Sequence, residues 1–153
     1  TATFAGDCVL VEEAGVAFSA AGDVVVSGCG TVTALTQLGV PKAFDSEFLG
    51  LLRFGFDTPL SFDVDNRLTS ALNAIHAEPA VVDVGNATNV CVHQVGVGGV
   101  TPVDLITCGG FLGIPVWNLS SAEGFTRGVK LLADDPDALR LKISCKGLVI
   151  TFY

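Results

Sequence analysis

Half of the 153 residues are hydrophobic, only 16 % are charged, and mean hydropathy is +0.59. An ordinary soluble domain reaches that apolar share only with glycine counted in, and here 18 glycines come on top of it. A net charge of −8 with eight Lys and Arg excludes recruitment of nucleic acid or anionic lipid by clustered cations. The length suits one domain with a sizeable core.

The chain opens on Thr1-Ala2-Thr3-Phe4-Ala5, where small polar and apolar residues alternate before Gly6. Residues 1–6 are expected to be an N-terminal extension of a single β domain spanning 1–153. Ala2 and Phe4 fall on one side of it and are candidate subunit contacts, because an added strand brings backbone hydrogen bonds and side-chain anchors to a neighbour. The chain begins with Thr and contains no Met, which fits removal of a secretory signal.

Strand signals then dominate, with Val, Ile, Thr and Phe punctuated at short intervals by Gly, Asp and Asn. Expected strands are Cys8–Glu12, Val16–Ala20, Asp23–Ser27 and Thr31–Leu35, with a hairpin turn at Ala21-Gly22-Asp23. Pro41 occupies a first helical position, and a short helix is expected near Pro41–Glu47. Gly50–Phe56 and Leu60–Val64 follow as strands. Asp65 and Asn66 can cap a helix over Arg67–Ala77, where Leu68, Ala71, Leu72 and Ile75 recur at helical spacing before Pro79 stops it. Further strands are expected at Ala80–Val84, Asn89–Val95, Val103–Thr107, Pro115–Leu119, Leu139–Cys145 and Leu148–Phe152. The turns Val84-Gly85-Asn86 and Cys145-Lys146-Gly147 separate some of them. Short strands between close turn signals point to a mainly β fold, a single-domain β-sandwich or jelly roll with one or two short helices. No internal repeat or linker stands out.

Gly85 to Val103 and Leu105 to Ala122 carry no formal charge, but Gly, Pro, Asn and Thr interrupt both. A spanning helix needs about 20 predominantly apolar residues, so no membrane insertion is expected. The chain ends on Leu148-Val149-Ile150-Thr151-Phe152-Tyr153, apolar on both faces. Such a strand must be covered on both sides, which makes Phe152 and Tyr153 candidate subunit contacts.

Chemistry-bearing residues are sparse. His76 and His93 lie in no catalytic signature, and His93 falls on the polar face if Val92 points inward. Cys8, Cys29, Cys91, Cys108 and Cys145 lack the paired spacing of a zinc site. They are disulfide candidates, Cys91 with Cys108 preferred, and their odd number leaves one free or paired between chains. Asp63-Val64-Asp65-Asn66 starts like a calcium loop without the glycine and glutamate that complete it. Asp134-Asp135-Pro136-Asp137 reads as a surface turn. Val95-Gly96-Val97-Gly98-Gly99-Val100 has no lysine and precedes no helix, so it fails as a phosphate loop. Trp117 is expected in the core. Arg140, Lys142 and Lys146 alternate along one strand face. Asn86 and Asn118 head glycosylation sequons.

No catalytic residues, cofactor or metal are therefore expected, and the chain is not read as an enzyme. The apolar excess points to contacts with other copies of itself. The expected function is a secreted structural subunit that self-assembles into an extracellular filament, pilus-like appendage or shell. The alternative is a secreted jelly-roll binding module for carbohydrate or a protein partner.

Overall fold

The computed structural model describes residues 2–5, 8–10, 24–27, 30–40, 43–44, 49–96 and 102–144. Its strands, in chain order, are β1 (Ala2–Ala5), β2 (Cys8–Leu10), β3 (Val24–Ser27), β4 (Thr31–Ala34), β5 (Ala43–Phe44), β6 (Leu51–Phe54), β7 (Leu60–Asp65), β8 (Ser70–His76), β9 (Val81–Asp83), β10 (Asn89–Gly96), β11 (Val103–Thr107), β12 (Gly110–Phe111), β13 (Asn118–Glu123), β14 (Val129–Leu132) and β15 (Ala138–Ile143). The described part is mainly β, and no helix occurs in it.

Apart from β14 and β15, successive described strands do not pair with each other. β6, β7 and β8 enter three different sheets, and the chain then revisits those sheets in the same order as β9, β10 and β11. The first of these sheets has the order β12-β9-β6-β4-β2, so each circuit lays one strand on the last. Leu51, Val81 and Gly110 are register partners across three circuits. The step is about 30 residues, within the range of solenoid repeats. Every described pairing is parallel except β11–β15 and β14–β15, the hairpin that closes the last face. The described strands therefore form a parallel, coiled stack.

Register sets the core. Val32, Leu52 and Val82 form one inward column, all fully buried. Leu60, Val90 and Leu119 form a second, and Phe62 and Val92 a third. Stacking like on like lets each β-branched or aliphatic side chain fill the gap above its predecessor. Each such burial stabilises by roughly 1.5–3 kcal/mol. Alternate residues of the same strands face outward, which explains the pattern of polar Ser61, Asp63, His93 and Glu123.

Two expectations change. A sandwich needs antiparallel neighbours, whereas turns such as Val84-Gly85-Asn86 carry the chain around a corner. Ala87 N–H donates to the Val84 carbonyl there (2.8 Å), and Gly85 has φ 52°. The helix expected over Arg67–Ala77 is strand β8. Its ladder to β11 pairs Asp104 with Ser70 and Ile106 with Ile75, and that tertiary pairing overrides helical spacing. Ala71 and Ile75 are buried, but Leu68 and Leu72 of the expected helical face are exposed. In the segment near Pro41–Glu47, Ala43–Phe44 is β5, paired with β3. The remainder of that segment lies outside the described residues, as do Val16–Ala20, Leu148–Phe152 and the turns at 21–23 and 145–147.

Candidate functional site

The sheet β13-β10-β7 presents the richest outer face. Parallel register lines up its outward residues in columns across three circuits. One column is Ser61, Cys91 and Ser121, and the next is Asp63, His93 and Glu123. These six residues line a shallow hollow of about 280 Å³. The buried neighbour Val92 turns His93 outward as expected, and its Nδ1 lies 3.6 Å from Asp63 Oδ1. Both side chains are more than half exposed, so even with the imidazole protonated the pair adds at most about 1 kcal/mol. The face offers carboxylate and hydroxyl oxygens, one imidazole and one thiol. Among the described residues no group of three or more His, Cys, Asp or Glu is placed to hold a metal ion.

A third column joins the two asparagines that begin β10 and β13. Asn118 Nδ2 donates to Asn89 Oδ1 (3.0 Å) and to Ser120 Oγ (3.2 Å). The sequon residue Asn118 is thus exposed but already tied into a ladder, while Asn86 stands exposed at its turn. Ser120 is an extra residue between Leu119, paired with Val90, and Ser121, paired with Cys91.

The preferred bridge between Cys91 and Cys108 is not formed, and both thiols are free. Cys91 lies on β10, in a different sheet from β11, which Cys108 follows, so the chain between them turns a corner. Cys108 is buried, its Sγ 3.6 Å from the Asp137 carbonyl, and burial pushes its thiol up to about 11. Cys8 is placed on β2 by its backbone, and Cys29 and Cys145 lie outside the described residues. Ala2 and Phe4 sit on β1, whose backbone pairs with Val24–Ser27 of the same chain. Strand donation by that segment would have to break this internal ladder. Phe152 and Tyr153 lie outside the described residues.

The remaining expected positions lie away from this face or outside the described residues. His76, on β8, places Nδ1 2.9 Å from Thr107 Oγ1. Asp65 is bound by Arg67 (Nη2–Oδ2 2.6 Å), and those hydrogen bonds hold its carboxyl down to about 2. Asp134 to Asp137 form the turn between β14 and β15, where Asp135 meets Arg140, which also donates to Asp104 (2.7 Å). Lys142 is exposed on β15, and Lys146 lies outside the described residues. Gly96 makes a close backbone approach, since a Cβ there would fall 2.4 Å from Asp65 Cγ. Trp117 is half-buried rather than in the core, edge-to-face on Phe111 with centroids 5.6 Å apart.

The strand edges carry the features that sequence pattern did not reveal. β7 is the first strand of its sheet, and two side-chain amides occupy its outer edge. Gln37 donates to the Ser61 carbonyl (2.7 Å) and accepts from Ser61 N–H (2.9 Å). Asn73 donates to the same carbonyl (2.8 Å) and accepts from Asp63 N–H (2.8 Å). At the other end of the stack, Phe111 N–H of β12 donates to the Pro136 carbonyl (3.1 Å). Between β12 and β13 runs an apolar corner in which Ile114 is 93 % and Val116 82 % exposed. The uncharged run around it was the only signal in the sequence. Leu38 and Leu72 are also exposed, and they line a groove of about 230 Å³ with Val40 and Ile75.

No family model, curated protein or solved structure matches this chain.

Proposed function

We propose that this chain is a structural subunit that associates with copies of itself, in an extracellular filament, appendage or shell. The observation that carries this reading is the apolar corner at the last circuit. Ile114 and Val116 stand almost fully in water beside half-exposed Leu112. Contiguous apolar surface of this kind marks an interaction site, whereas scattered single residues need no explanation. A coiled stack supports the reading further, since such stacks require covered ends to remain soluble. The acidic surface disfavours nucleic acid as a partner and repels other copies, so copies must meet through uncharged surface. The extracellular setting rests on the sequence: two sequons, and five cysteines in a short chain.

A second reading is a binding module for carbohydrate or a protein partner. It is favoured by the groove of about 240 Å³ between Trp117 and Asp135, which sets an aromatic face beside a carboxylate. Negative-stain microscopy of the purified chain over a range of concentrations separates the two. Elongated assemblies are expected, and monodisperse single-chain particles at every concentration would overturn the structural reading.

A further inference from the structure

The groove of about 240 Å³ between the corner after β12 and the β14–β15 turn joins aromatic, apolar and acidic surface. Phe111 and Trp117 meet edge-to-face along it, and Trp117 is only half-buried, so part of its ring faces water. The turn supplies Asp134 and Asp135, and no Lys, Arg or His lines the groove. Arg140 pairs with Asp135 but is shared with Asp104, and Asp134 has no ion pair among the described residues. At least one negative charge is therefore uncompensated beside an aromatic ring. The face of such a ring is itself negative, so ring and carboxylates favour the same occupant, a cation. The net charge of −8 also draws cations from a distance.

We infer that this groove docks an arginine side chain of a protein partner, flanked in that partner by apolar residues. The chemistry of the walls selects arginine. A planar guanidinium stacks on an aromatic face and presents a fork of N–H donors to carboxylates, whereas an ammonium is a compact, strongly hydrated point charge. The rim selects a peptide. Ile114 lines the groove at 93 % exposure, and Val116 continues it at 82 %. That apolar surface reaches beyond what one small cation can cover, and apolar neighbours of the arginine would bury it. An unlike partner fits better than a second copy, because Arg53, Arg67 and Arg140 of this chain are already held by Asp83, Asp65 and the pair Asp104 and Asp135. The inference rests on the binding reading, gives it a ligand class, and is independent of self-assembly.

Trp117 is the only tryptophan in the sequence, so its emission reports on this groove. The full chain is titrated with acetyl-leucyl-arginyl-leucine amide and with the same peptide carrying citrulline, the uncharged isostere of arginine. Saturable quenching or a wavelength shift is expected with the arginine peptide, and about tenfold weaker binding with citrulline. Affinity is expected to fall as salt rises from about 0.05 to 0.5 M. Asp134→Asn and Ile114→Ser, both at exposed positions, are each expected to weaken binding by about three- to tenfold without changing the circular dichroism spectrum. Equal affinity for the two peptides, or emission unmoved by either, would overturn the inference. Argininamide binding as tightly as the peptide would overturn the protein partner in favour of a small cation. Emission shifted by cellohexaose and not by the peptide would overturn it while keeping a binding module, for carbohydrate. Assembly seen by microscopy with Trp117 unmoved by the peptide would overturn it and leave the structural reading standing.

Discussion

Cys91 and Cys108 differ in environment more than in chemistry. Cys91 is half-buried on the outer face of β10, while Cys108 is enclosed and its thiol is raised to about 11 by burial. At pH 8 the Cys108 thiolate is then about a thousandth of the total. Iodoacetamide is expected to modify Cys91 well before Cys108 in the folded chain, read by peptide mass spectrometry. Equal rates, or a Cys91–Cys108 disulfide, would contradict this placement. A thiol whose folded value exceeds its unfolded value of about 8.5 favours the folded state below that pH. Its contribution is expected to fade as pH rises from about 8.5 towards 11. Gly109 marks a different constraint, since a Cβ there would lie 2.1 Å from the Pro79 carbonyl oxygen. Backbone cannot yield as a flexible side chain does, so Gly109→Ala is expected to cost about 1–3 kcal/mol in urea unfolding. An unchanged midpoint would show that the two segments are further apart.

At the level of elements, β7 depends on side chains borrowed from a turn and a neighbouring strand. Gln37 and Asn73 supply four hydrogen bonds to its edge. Each is worth roughly 0.5–1.5 kcal/mol net, nearer the low end where water can replace it. Gln37→Ala with Asn73→Ala is expected to lose about 1–2 kcal/mol and to aggregate faster on warming, because an open edge accepts foreign strands. Unchanged aggregation, followed by light scattering, would contradict the sealing role. The strands themselves were legible: alternation at Thr31 to Leu35, Leu60 to Val64 and Val103 to Thr107 maps onto β4, β7 and β11. Their partners were not. Alternation states which side chain faces inward but is silent on whether the next strand returns or turns a corner. The repeat has no plain sequence signature, because a column such as Val32, Leu52 and Val82 keeps polarity and not identity. β8 was misread because Leu68 and Leu72 supply helical spacing while lying exposed on the surface. The edge seal had no sequence signal, since Gln37 and Asn73 look like any surface amides.

For the whole molecule, the coiled stack accounts for an unusually apolar chain. Its columns bury aliphatic side chains on several faces, and among the described residues Ile114 and Val116 are the most exposed large hydrophobics. Association through these residues is expected to withstand salt of roughly 0.5 M, which screens only exposed charges. Dissociation to monomers in that salt, seen by light scattering, would indicate a charge-held contact. The most direct test is amide hydrogen exchange, followed by mass spectrometry at low and high protein concentration. Peptides covering 110–117 are expected to gain protection as concentration rises, while those covering 60–65 do not change. Exchange independent of concentration over 110–117 would contradict self-assembly through this apolar corner.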